Sequence, residues 1–133
     1  MTQFTIPEDN FKTSPLVIAN CTYRQMSQYL KRRFSVEFDD SVAGCVGTML
    51  TFNQAPWRVV WVEKLRRGKA EDLSVLAHEL FHLTTRVCAD KGVPIYHHLP
   101  TGEVGDEAAA YLYEYYFVAV LEALARPRSR RSR

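Results

Sequence analysis

His78-Glu79-Leu80-Phe81-His82, which reads HELFH, decides how the rest of the chain is placed. On an α-helix, residues four apart stand one turn apart on the same face, so His78 and His82 can aim two imidazole nitrogens at one point. A zinc ion at that point binds histidine nitrogen at roughly 2.0–2.1 Å, and Glu79 beside the first ligand can reach a metal-bound water as general base. The pattern carries this meaning only on a helix, and its flanks predict one over Ala70 to Asp90. That run contains no Gly or Pro, and Leu73, Leu76, Ala77, Leu80, Thr84 and Val87 recur at the helical i, i+3, i+4 spacing. Glu71 and Asp72 suit the start of the helix dipole, while Gly92 and Pro94 supply a stop. Both histidines lie on the flank of the apolar stripe, where ligands line a cleft at the edge of a core. The competing reading is two surface or core histidines with a chance Glu between them.

A catalytic zinc usually takes three protein ligands and leaves one position to water. Downstream of His82 the candidates are His97, His98, Glu103, Asp106, Glu107 and Glu114. The spacing HExxHxxGxxH is absent, because Thr85 stands at the glycine position and Cys88 at the third histidine. A carboxylate from the next predicted helix, Asp106 to Ala125, is the favoured donor. Glu107 lies in its first turn, and Ala108, Ala109 and Ala110 are small enough for that helix to approach a neighbour closely. Glu103 is the runner-up. The competing reading of Asp106 and Glu107 is that they complement the helix dipole.

HELFH followed by a helix carrying Asp106-Glu107-Ala108-Ala109-Ala110-Tyr111 resembles the gluzincin type of zincin metallopeptidase. The likeness is greatest to the small single-domain zincins of phages and other mobile elements, with some likeness to ImmA/IrrE-type peptidases. It covers roughly Thr48 to Leu124. The resemblance implies that His78, His82 and Glu107 bind Zn²⁺ and that Glu79 is the general base for hydrolysis of a peptide bond in a specific protein substrate. Larger gluzincins often place an acid four residues after the ligand glutamate. Here that position is Tyr111, which leaves Asp106, Glu103 or Glu114 to hold a histidine Nδ1. Tyr111 and His97 are the first candidates for a second oxyanion donor, with Tyr96 and His98 behind them. A substrate peptide is expected to lie extended along an edge strand, either Thr48–Phe52 or Trp57–Val62. Two other readings stand beside the enzyme: a zincin-like metal-binding interaction or regulatory protein without turnover, and a scaffold with no metal. Glu79 favours catalysis, because a purely structural site has no need of a base.

Working outward, the fold expected is α+β, a zincin-like core of a helix, a small mostly antiparallel sheet, the HELFH helix and the following helix that carries the third ligand. Thr22 with Gln25 fits a capping box for a helix to Arg33, with Tyr23, Met26, Tyr29 and Leu30 as its apolar stripe. Phe34-Ser35-Val36-Glu37-Phe38 alternates and predicts a strand. Thr48–Phe52 and Trp57–Val62 predict an antiparallel hairpin around Asn53-Gln54-Ala55-Pro56. Leu16-Val17-Ile18 is open between a short strand and the lead-in to a helix. Lys64 to Lys69 is predicted to be an exposed basic connection. In the last helix Leu112, Tyr116, Val120 and Leu124 share the core-facing side.

A chain of 133 residues with 47% hydrophobic content bounds the answer at one domain with a real core, residues 1–125. The net charge of +2 is produced by the last eight residues, whose five arginines, once removed, leave −3 for the folded part. Arg126 to Arg133 is expected to be a disordered basic tail, able to touch nucleic acid or another acidic surface weakly. No stretch approaches the roughly 20 apolar residues of a membrane span, and no signal-peptide core opens the chain. The expected setting is therefore cytoplasmic, the host cytoplasm for a phage-encoded chain. Cys21, Cys45 and Cys88 have no CxxC spacing and read as buried thiols.

Overall fold

Two short runs, Leu16-Val17-Ile18-Ala19 and Val59-Val60-Trp61-Val62, are apolar at every position. A strand reads that way when it is covered on both faces. The structure, a computed structural model, describes residues 1–7, 14–35, 58–93, 95 and 106–126, together with the backbone of 47–51. The elements run β1 (Thr2–Thr5), β2 (Leu16–Ala19), α1 (Tyr23–Phe34), β3 (Gly47–Thr51), β4 (Arg58–Val62), α2 (Ala70–Lys91) and α3 (Glu107–Ala125). Among the described residues the strands form one sheet in the order β1-β2-β4-β3. β1 and β2 are antiparallel, β2 and β4 parallel, and β4 and β3 antiparallel, with Leu50 opposite Val59 and Thr48 opposite Trp61. The α+β class and the hairpin of the last two strands are as the sequence predicts. Leu16-Val17-Ile18 resolves as a strand, and its parallel pairing with β4 places both in the middle of the sheet.

Alternation along those two strands then sorts side chains to two cores. Leu16, Ile18, Val59 and Trp61 face α1 and pack with Cys21, Tyr23, Met26 and Leu30. Val17, Ala19, Val60 and Val62 face α2 and α3 and pack with Leu76, Leu80, Leu83, Leu112, Tyr116 and Val120. The sheet is thus the middle of three layers. Trp61 is 1% exposed, donates its Nε1–H to the Cys21 carbonyl at 3.1 Å and meets the Tyr23 ring edge-on at 5.7 Å.

Local sequence explains the helix ends. Thr22 Oγ1 accepts from the Gln25 N–H at 3.2 Å, and Gln25 Oε1 accepts from the Thr22 N–H at 2.9 Å, the reciprocal capping box. Thr22→Ala is expected to cost about 0.5–2 kcal/mol, measurable as a shift in the denaturation midpoint at unchanged m-value. At the other end the structure corrects the strand predicted from Phe34. Phe34 is the last helical residue, continuing the i, i+4 series Met26, Leu30, Phe34, and Ser35 ends the helix in the left-handed conformation at φ 58°. The remainder of that predicted strand, 36–38, lies outside the described residues, as do Trp57, Cys45 and the tail 127–133.

The basic connection is exposed at Lys64, Arg67 and Lys69, but Leu65 is buried in the core and Arg66 is engaged. Arg66 grips Asp72 in the first turn of α2 through Nε at 2.9 Å and Nη2 at 3.2 Å, and its backbone N–H donates to the same carboxylate at 2.8 Å. Those side-chain bonds first, and the backbone bond second, hold the Asp72 carboxyl below the usual range near 4. A depressed carboxyl contributes stability that is complete above its unfolded pKa and is lost as pH falls through the lower folded value. Thermal unfolding from pH 7 to pH 2.5 is therefore expected to show an acid limb below about pH 4 that Asp72→Asn flattens, with a lower Tm for the variant at pH 7. Asn20, at φ 58°, ties the other end of this connection, accepting from the Leu65 N–H at 2.9 Å and donating to Thr2 Oγ1 at 3.1 Å.

Gly92, at φ 68°, ends α2 in the left-handed conformation, as the sequence predicts. Arg58 at the start of β4 pairs with Asp90 near that end. None of the described helices is long and apolar enough to cross a membrane.

Candidate metal centre

The HELFH turn lies in the middle of α2, where helix geometry is most rigid. Its residues divide by direction. Leu80 and Leu83 point into the core at 0% exposure, while His78, Phe81 and His82 are exposed. The two imidazoles converge: His82 Nε2 stands 3.1 Å from His78 Nε2, with ring centroids 4.7 Å apart and planes at 80°. Two nitrogens bound at roughly 2.0–2.1 Å to one tetrahedral ion sit roughly 3.3 Å apart. The pair thus already has the spacing that a single zinc requires, and its exposure leaves room for water and substrate. The residues present fit a zinc ion to the extent of two donors.

Glu79 differs from both histidines. It is 6% exposed and belongs to the stripe Leu76, Glu79, Leu83 on the side of α2 that meets the sheet. Along the same stripe Asp90 reaches Arg58 of β4, which fixes its direction. Burial pushes the Glu79 carboxyl above the ordinary glutamate range, and His78 and His82 draw it partly back. A carboxylate so placed is a stronger base than a solvated one, which suits proton transfer near neutral pH. The side of α2 that carries Glu79 lies against β4 and against β3, the edge strand. This decides between the two edges left open by the sequence: β3 is outermost, and β4 is enclosed between β2 and β3.

α3 packs antiparallel along the other side of α2. Thr84 and Thr85 share a cavity of about 460 Å³ with Asp106, Ala109 and Ala110, while Ala77 shares one of about 260 Å³ with Glu114 and Phe117. Of the three alanines only Ala109 is buried, at 6% exposure; Ala108 and Ala110 are exposed, and Ala109 and Ala110 line the larger cavity, so the close approach expected of them is not seen there. Glu107 stands exposed in the first turn of α3, near the Thr84–Thr85 end of α2. Glu114, also exposed, is level with Ala77, the residue before His78. Tyr111 is 64% exposed on the same helix. Among the described residues no three His, Cys, Asp or Glu side chains converge on one point. Tyr96, His97, His98 and Glu103 lie outside the described residues.

One participant was not legible in the sequence. Tyr113 of α3 donates its hydroxyl to the Ala77 carbonyl at 3.3 Å, and its ring meets Phe81 edge-on at 6.3 Å. Its only sequence signal was an aromatic flanking the core series Leu112, Tyr116, Val120, which marks most helix-packing residues equally. No protein-family model, no curated protein and no solved structure matches the chain, so its fold and its candidate metal centre rest on its own residues.

Proposed function

We propose that the protein is a zinc-dependent peptidase that hydrolyses a peptide bond in a specific protein substrate. The observation that carries this reading is the 3.1 Å approach of two exposed histidine nitrogens on the turn that also buries Glu79. His78 and His82 would hold the metal, with Glu107 from α3 as the third donor. When bound, zinc supplies a Lewis acid that polarises a carbonyl and acidifies water. Glu79 takes the proton of the water that attacks the carbonyl carbon and passes it to the departing amide nitrogen. The outer side of β3 offers unpaired backbone N–H and C=O groups, among the described residues, to an extended substrate. Tyr111 is the exposed hydroxyl on α3 nearest in sequence to Glu107 that could donate to the developing oxyanion, and His97 is its alternative. Buried free thiols at Cys21 and Cys88 suit a cytoplasmic setting.

The experiment is metal content by elemental analysis, followed by peptide hydrolysis before and after chelation. About one zinc per chain, with hydrolysis that chelation removes and zinc restores, supports the reading. A protein that takes up no zinc after loading refutes it.

A further inference from the structure

We propose that Tyr113 is a positioning residue that sets the distance between the histidine pair and the carboxylates of α3. The inference rests on the zinc reading above. Its hydroxyl holds the carbonyl of Ala77, the residue before His78, and its ring holds the side chain of Phe81, the residue before His82. A single α3 side chain therefore touches the residue before each histidine. Phe117, one turn further along α3, stacks on the back of Tyr113 at 6.4 Å and 30° and keeps it in place.

The surroundings make this contact matter. On the core side, α2 and α3 are joined by continuous packing of Leu80, Leu83, Leu112 and Tyr116. On the outer side, cavities of about 460 and 260 Å³ lie between the helices beside the residues that precede the histidines, Phe81 in one and Ala77 in the other, and Tyr113 lines both of them. It is the strut between the two. Glu107 and Glu114 ride on the helix that this strut holds, one on each side of it. Loss of the strut lets α3 pivot about its core contacts, and a ligand carried on α3 then moves relative to the histidines. Groups that orient metal ligands without touching the metal typically govern affinity by 10–100-fold.

Tyr113→Phe keeps the ring and removes the bond to Ala77. Tyr115→Phe is the matched control, because it removes another α3 hydroxyl bond, to the Pro7 carbonyl, from a position two residues along and so nearly on the opposite side of α3 from Tyr113. Zinc affinity is measured by chelator competition, and the ligand field by the visible spectrum of the Co²⁺-loaded protein. Tyr113→Phe is expected to weaken zinc by about tenfold and to change the Co²⁺ band, while Tyr115→Phe lowers Tm and leaves both within about twofold of the wild type. Tyr113→Leu, which also removes the ring, is expected to reach about a hundredfold. Wild-type affinity and spectrum in Tyr113→Phe, or equal weakening in Tyr115→Phe, overturns the positioning role while leaving the metal centre intact. A wild-type protein that takes up no zinc overturns the metal centre itself, and this role with it.

Discussion

His78→Ala and His82→Ala are each expected to weaken zinc binding by about 10²–10³-fold while leaving the protein folded. The magnitude follows from the apparent binding energy of protein zinc sites, roughly 10–16 kcal/mol shared among three or four ligands. The folding expectation follows from exposure: both imidazoles are outside the core, and their mutual contact at 3.1 Å is the only described hydrogen bond either ring makes. Substitutions at such positions usually change stability by about 0.5 kcal/mol or less. Zinc titration followed by thermal unfolding reads both effects at once. Free zinc at 100 times Kd is expected to add about 2.7 kcal/mol to the stability of the wild type, and this increment is expected to fall to about 0.4 kcal/mol or less in either variant at the same zinc concentration. A zinc-dependent rise in Tm that survives in His78→Ala would place the metal elsewhere in the chain.

Glu79→Gln is expected to separate chemistry from binding. Hydrolysis falls by about 10²–10⁴-fold, the usual contribution of a positioned general base, while zinc stays bound at one per chain. The variant also carries a second, opposite effect. Glu79 as a residue is 6% exposed, and burial raises its carboxyl above the ordinary range, so its charge costs the metal-free fold some free energy. Gln has the same shape and no charge. The metal-free variant is therefore expected to melt above the wild type. Lost hydrolysis with a higher Tm marks Glu79 as a base held against the preference of the fold. Hydrolysis at the wild-type rate overturns its role, and a fall in Tm shows that the carboxylate is structural.

The parts of this protein that were legible in the sequence are those fixed by local periodicity. The capping box at Thr22 and Gln25 needs only residues three apart, and it forms as read. The helix around HELFH and its glycine stop follow from one uninterrupted amphipathic run, and so does the core series Leu112, Tyr116, Val120. Phe34 shows where such reading fails. Its apolar neighbours at i+2 and i+4 suggest a strand, and its apolar partners at i−4 and i−8 suggest a helix. Packing of Met26 and Leu30 against Trp61 and Val59, on the far side of the sheet, settled the choice.

By itself, then, the sequence determined that two histidines and a glutamate share one helical turn and that a helix of small and acidic residues follows. Only the tertiary structure decided that Leu16–Ala19 pairs parallel with Arg58–Val62, and so that the sheet is covered on both faces with β3 at its edge. It alone buried Glu79 between two exposed histidines and set Tyr113 against the turn. The physical reason is range. Helical spacing is a property of residues three and four apart, whereas burial and strand order depend on partners tens of residues away, whose contacts no local pattern encodes.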